Sequence, residues 1–238
     1  MSIKTITTAA ALAISTAFAT SAAFATPINH LTSHEGNPYH LYQQFGALGY
    51  TGLDTPAEID ANRLALNTSF SFQLGSTLRA TMLFEWAGKA DFTTFGIYDQ
   101  TNSSNRLQLW GGAAGPGINV SMSRLADGSV ILDNIDTGTD FATNQFGYYI
   151  LIDGITYFFS NPALNPGGID QMAAFNINAT DYLIAFEDLL NSGIDSDKDF
   201  NDLAVKIALE VPEPGTLAVL GMGLFGLGYM RRRQTAKA

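Results

Sequence analysis

The sequence predicts an all-β fold, an antiparallel β-sandwich of jelly-roll-like form carrying one short N-terminal helix. Two observations predict it. Beyond residue 68 apolar residues recur at alternate positions in short runs, and turns rich in Gly, Asn, Asp and Ser separate those runs. Only one or two stretches read as helix, whereas a doubly wound α/β chain needs several helical segments of about 10–15 residues. The 238 residues contain no cysteine, so disulfides, thiol catalysis and thiolate metal sites are excluded.

Residues 1–25 have the order of a cleavable secretory signal. Lys4 precedes an apolar stretch that closes on the small residues of Ala23-Phe24-Ala25. Residues 26–64 are the least regular part of the predicted mature chain. Within them Asp54 or Thr55 is placed to cap a short helix, with Pro56 in its first turn and Glu58 positioned to close a capping box. His30, His34 and His40 match no metalloprotease pattern and read as surface or packing residues.

The strands follow. Met82, Phe84 and Trp86 are expected on one face, with Thr81, Leu83 and Glu85 on the other. Residues 106–110 and 118–122 also alternate. Residues 146–152 face 155–159 across Asp153-Gly154, the strongest hairpin signal in the chain. Leu203, Val205, Ile207 and Leu209 share one face of the last strand. The glycine-rich stretch 111–117 reads as a loop, because a strand follows it where a dinucleotide site needs a helix.

Within 26–210 there are 21 acidic and 7 basic residues, a net charge of −14. Such a domain repels nucleic acid and anionic lipid and favours divalent cations. The acids concentrate at 187–202, where Glu187, Asp188, Asp195, Asp197, Asp199 and Asp202 fall close together with Asn201. Asp195, Asp197, Asp199 and Asn201 are spaced by two, so a curled loop brings their oxygens toward one Ca2+, which takes six to eight. The loop is not an EF-hand, since Phe200 and Lys206 stand where that motif needs Gly and Glu. Glu187 and Asp188 end a strand beside the loop and are the expected remaining ligands, with Phe200 plugging the core beneath the ion.

Residues 211–238 close the chain. Pro212-Glu213-Pro214 precedes an uncharged run at 217–230, and Arg231, Arg232 and Arg233 follow. The order resembles the PEP-CTERM sorting signal over residues 211–233. That resemblance implies an exosortase-type sorting enzyme as partner and a Gram-negative host that makes extracellular polysaccharide. It also implies delivery to the outer envelope, cell surface or biofilm matrix. The apolar run is expected as a transmembrane helix that inserts transiently. A second resemblance lies at 182–207, where a Phe-Glu-Asp strand end and Asp197-Lys198-Asp199-Phe200-Asn201-Asp202 are similar to the domain-of-unknown-function 4114 family. This one implies a β-rich secreted or surface module with calcium at Glu187, Asp188, Asp197, Asp199, Asn201 and Asp202.

The function expected is an exported, calcium-stabilised structural or adhesive module without catalytic activity, in contact with polysaccharide or surface proteins. The alternatives are a carbohydrate-binding module and a glycoside hydrolase. The first would use aromatics such as Trp86, Trp110, Tyr148, Tyr149, Tyr157 and Phe158 as a platform. The second would need two carboxyls facing across a groove, and Glu85 with Asp91 beside Trp86 is the best isolated grouping.

Overall fold

The computed structural model describes residues 15–16, 27–30, 40–66, 68–85, 93–189 and 198–210. Among them, thirteen strands form two antiparallel sheets, accompanied by two short α-helices. The first sheet runs β1 (Ser15–Thr16), β2 (Thr68–Ser71), β9 (Gln145–Ile152), β4 (Thr94–Asp99) and β5 (Asn102–Gly111). Strand β10 (Thr156–Phe159) pairs with residues 149–152 of β9, alongside the shorter contact of β2 with residues 145 and 146. The second sheet runs β11 (Met172–Asn176), β12 (Asp181–Phe186), β13 (Leu203–Glu210), β3 (Thr77–Glu85), β6 (Asn119–Arg124), β7 (Ser129–Leu132) and β8 (Ile135–Asp140).

The sheets share one core. Phe95, Tyr148, Ile150 and Phe158 from the first sheet meet Met82, Tyr182, Ile184, Phe186 and Val205 from the second. Alternation along each strand puts these residues on the inner faces. At the centre the Tyr148 and Tyr182 hydroxyls, both buried, hydrogen-bond across the gap at 2.6 Å.

The turn after β9 follows the sequence expectation. Asp153 and Gly154 both have positive φ, 52° and 67°, and Ile155 N–H closes the turn on the Ile152 carbonyl at 3.0 Å. Glycine matters differently at Gly96 and Gly147, which sit opposite Tyr149 and Tyr98 in the β4–β9 pairing. A Cβ at Gly147 would lie 2.4 Å from the Tyr98 ring, and one at Gly96 2.6 Å from that of Tyr149. Each ring therefore lies over the bare backbone of its neighbour, which lets these tyrosines bury themselves on the outer face of the first sheet.

Two alternations are broken by bulges. In β3, Phe84 pairs with Ala204 and Met82 with Val205, so Leu83 is the extra residue. Met82 accordingly faces the shared core, whereas Phe84 faces the opposite side, against the expectation that they point together. In β5 the register skips Leu109 in the same way, and both Leu109 and Trp110 enter the core.

The outer face of the second sheet is also covered at its β11–β13 end. Helices α1 (Leu41–Ala47) and α2 (Pro56–Asn62) place Leu41, Phe45 and Ile59 against Phe84, Phe175, Leu183, Ala185 and Phe200. Strand β12 is thus buried on both sides. Helix α2 starts as its sequence indicates, with Thr55 Oγ1 accepting from Glu58 N–H at 3.3 Å. Glu58 Oε2 in return accepts from the Thr55 hydroxyl (2.9 Å) and from Asp54 N–H (3.3 Å). His30 contacts Asp60 at 3.1 Å and His40 stacks on Tyr42, the packing roles expected of them. His34 and Trp86 lie outside the described residues.

The expectation of a transmembrane helix, and with it of transient membrane insertion, is corrected. Among the described residues no helix is long and apolar enough to cross a membrane. Helices α1 and α2 have seven residues each, rising about 10 Å against a hydrocarbon core of about 30 Å. The run at 217–230 on which the expectation was placed lies outside the described residues. Its 14 residues would rise only about 21 Å as a helix.

The buried tyrosine pair makes stability sensitive to alkali. Burial pushes Tyr148 well above the ordinary value of 10.0, with the neighbouring Tyr182 adding to the effect. Burial likewise raises Tyr182, against the opposing hydrogen bond from Tyr148. Folded-state values above the unfolded one mean that this contribution is full below about pH 10 and is lost as pH climbs toward the folded values. The unfolding free energy from urea titrations is therefore expected to fall above pH 10, by about 1.4 kcal/mol per pH unit for each tyrosine. Tyr148→Phe combined with Tyr182→Phe should flatten that fall, and an unchanged slope would exclude the pair as its source.

Candidate metal centre

The site forms where β12 leaves the sheet. Phe186 still pairs with Met172 on one side and Leu203 on the other. The next two residues, Glu187 and Asp188, are 1% and 3% exposed, and Asp202, just before β13, is 2% exposed. Asp188 N–H donates to Asp202 Oδ2 at 2.7 Å, which ties the two segments together. One carboxylate oxygen from each of Glu187, Asp188 and Asp202 lies within 4.8 Å of the others. Oxygens that share a Ca2+ at about 2.3–2.6 Å can be no more than about 5 Å apart, so the spacing fits a common ion. The donor set is all oxygen and all anionic, which suits a hard divalent cation such as Ca2+.

The turn leading into β13 is shaped around Phe200. Lys198 and Phe200 have φ of 63° and 55°, a left-handed conformation that costs a non-glycine residue roughly 1–2 kcal/mol. Alternating these residues with Asp199 and Asn201 curls the chain and drives the Phe200 ring, 0% exposed, into the outer core layer. Asp199 and Asn201 meet each other across the curl. Asn201 N–H donates to Asp199 Oδ1 at 3.1 Å, and Asn201 Nδ2 donates to Oδ2 at 2.5 Å.

The structure therefore brings Glu187, Asp188 and Asp202 together, and it places Asp199 and Asn201 on the adjoining curl. Asp195 and Asp197 lie outside the described residues, as do Pro212, Glu213, Pro214, Arg231, Arg232 and Arg233. Phe200 is buried beneath the turn as the sequence suggested.

Sequence reasoning did not anticipate the part played by the N-terminal segment. Asn29 N–H donates to the Lys198 carbonyl at 2.9 Å, and Leu64 N–H to that of Ala174 at 2.7 Å. Arg63 lies 4.8 Å from the centre of the Phe200 ring and pairs with the buried Asp170 at 2.5 Å. Burial pushes the Arg63 guanidinium below its ordinary value, and Asp170 and Asp60 oppose that shift. No local signal marks Arg63, because its partners Asp170 and Phe200 are more than a hundred residues away in sequence.

Fold and site together define a two-sheet β module with a buried acidic centre at the end of a doubly covered strand. The chain matches two family models. Residues 121–210 match the Domain of unknown function (DUF4114), and residues 210–234 match the PEP-CTERM protein-sorting motif. The first match spans β6 to β13 and contains every described acid of the candidate centre. No curated protein and no solved structure matches the chain.

Removing the Arg63 guanidinium should take the opposite charge away from the buried Asp170 carboxylate. Arg63→Met is expected to destabilise the protein by about 3–5 kcal/mol in urea titrations. Pairing it with Asp170→Leu should recover much of that loss. Equal stability of Arg63→Met and wild type would show that the pair does not anchor the segment.

Proposed function

We propose that the protein is an exported, calcium-stabilised structural or adhesive module of the bacterial surface or matrix. In this reading residues 1–25, β1 included, are removed on export, 26–210 form a jelly-roll-like domain, and 211–238 are the sorting segment presented to an exosortase-type enzyme. A Gram-negative host and an extracellular polysaccharide or surface-protein environment belong to the same proposal. The match to the sorting motif supports the destination. One observation carries the chemistry: three carboxylates gathered within 4.8 Å at buried positions. Like charges so close, and so far from water, repel strongly, and a divalent cation at their centre relieves that repulsion. The ion would be held by Glu187, Asp188 and Asp202, with Asp195, Asp197, Asp199 and Asn201 as further candidates from the loop. Its contribution would be to fasten the end of β12 to the start of β13.

The alternatives draw less support from the described residues. Trp110, Tyr148 and Phe158 are core residues, and the Tyr157 ring is faced by the Arg106 guanidinium at 3.9 Å. A sugar would find those ring faces already in use. An open cleft of about 290 Å3 is lined by Phe72, Leu74, Arg124, Ala126 and Asn144, none of which is a carboxylic acid. A glycosidase needs two.

Thermal unfolding in excess EDTA and in millimolar calcium tests the reading. At about 100 times the dissociation constant, calcium should add about 2.7 kcal/mol, seen as a higher melting temperature. Asp188→Asn should lose most of that increment. A wild-type melting temperature indifferent to calcium would sink the proposal.

A further inference from the structure

We propose that Gln171 supplies a neutral ligand to the same cation through its side-chain oxygen, an assignment that rests on the calcium reading above. Gln171 stands immediately before β11, and its carbonyl accepts from Glu187 N–H at 3.0 Å. The register pairs Met172 with Phe186, so Gln171 lies opposite Glu187 one step further along. Residues opposite each other in an antiparallel pair send their side chains to the same face, and Gln171 therefore stands beside the Glu187 carboxylate.

The orientation of the amide is fixed by its neighbours. Nε2 donates to the Leu189 carbonyl at 2.5 Å and approaches that of Glu187 at 3.5 Å. Reversing the amide would press oxygen against oxygen at both. Oε1 is left at the other end, in a residue 1% exposed, and it accepts no hydrogen bond. Buried acceptors in folded proteins are nearly always satisfied. A cation bound by Glu187, Asp188 and Asp202 satisfies this one, because side-chain amide oxygens are ordinary calcium ligands. A neutral donor also adds an oxygen to the coordination shell without adding a fourth negative charge. The centre then draws on three segments: the start of β11, the end of β12 and the turn before β13.

Terbium luminescence on the full-length chain tests the assignment, with lifetimes in H2O and D2O counting the waters on the bound ion. Gln171→Ala should add one bound water and weaken terbium binding by about tenfold or more. Gln171→Glu keeps an oxygen at the same reach, so its water count should match wild type. Its extra charge should shift preference from calcium toward the trivalent ion. An unchanged water count in terbium-loaded Gln171→Ala overturns the assignment while leaving the calcium reading intact. Where that variant does not fold, an unchanged terbium-to-calcium preference in Gln171→Glu overturns it equally. Failure of wild type to bind terbium or calcium overturns both.

Discussion

Burial of β12 on both of its faces is the constraint on which the rest of this structure depends. Tyr182, Ile184 and Phe186 point into the core between the sheets, and Leu183 and Ala185 point into the layer covered by α1 and α2. A strand covered on both sides does not reach water when its pairing ends. The chain beyond Phe186 remains at depth, and its next two side chains are Glu187 and Asp188. Their position follows from the packing of the apolar residues before them. In that low-dielectric setting the interaction among carboxylates is far stronger than it would be on a solvated turn.

The same double coverage explains the N-terminal segment. The outer face of β11 and β12, with Ala204 of β13, presents apolar residues, and apolar sheet faces must be covered by another layer or by a partner. Residues 27–30 and 40–66 provide that layer, with Phe45 packed edge-on against Phe175 at 5.8 Å. The segment also contacts the acidic end, where Arg63 spans from Asp170 to Phe200. Two carboxylate arrangements therefore sit near each other with different solutions. Asp170 pairs with a guanidinium from the chain itself, and Glu187, Asp188 and Asp202 converge within 4.8 Å in a geometry that could hold a divalent ion.

Much of this was legible in the sequence. The alternation in β9, β12 and β13 gives the right residues to the core, because an uninterrupted period of two needs no knowledge of the partner strand. The cap of α2 is legible for the same reason, since Thr55 and Glu58 act within one turn. Helix α1 is different. It spans only seven residues and its N-cap is His40, which is not a preferred cap residue. A helix so short is not stable by propensity, and it forms because Leu41 and Phe45 find an apolar surface. The faces of Phe84 and Trp110 were misread because a bulge is a property of a strand pair. Leu83 and Leu109 look like ordinary strand residues until their partners are known.

The sequence by itself determined the β class, the hairpin at Asp153-Gly154, the acid-rich segment, and the ordered features of an export signal and a sorting motif at the two ends. All of these are local, written in residues within a turn or a strand of one another. Only the tertiary structure decided which acids converge, that β12 is buried on both faces, and that Arg63 and Gln171 stand at the acidic end. Gln171 is separated from Glu187 by 16 residues, and Arg63 from Asp170 by 107. Contacts over such distances depend on strand register and layer packing, which are settled by the whole core at once.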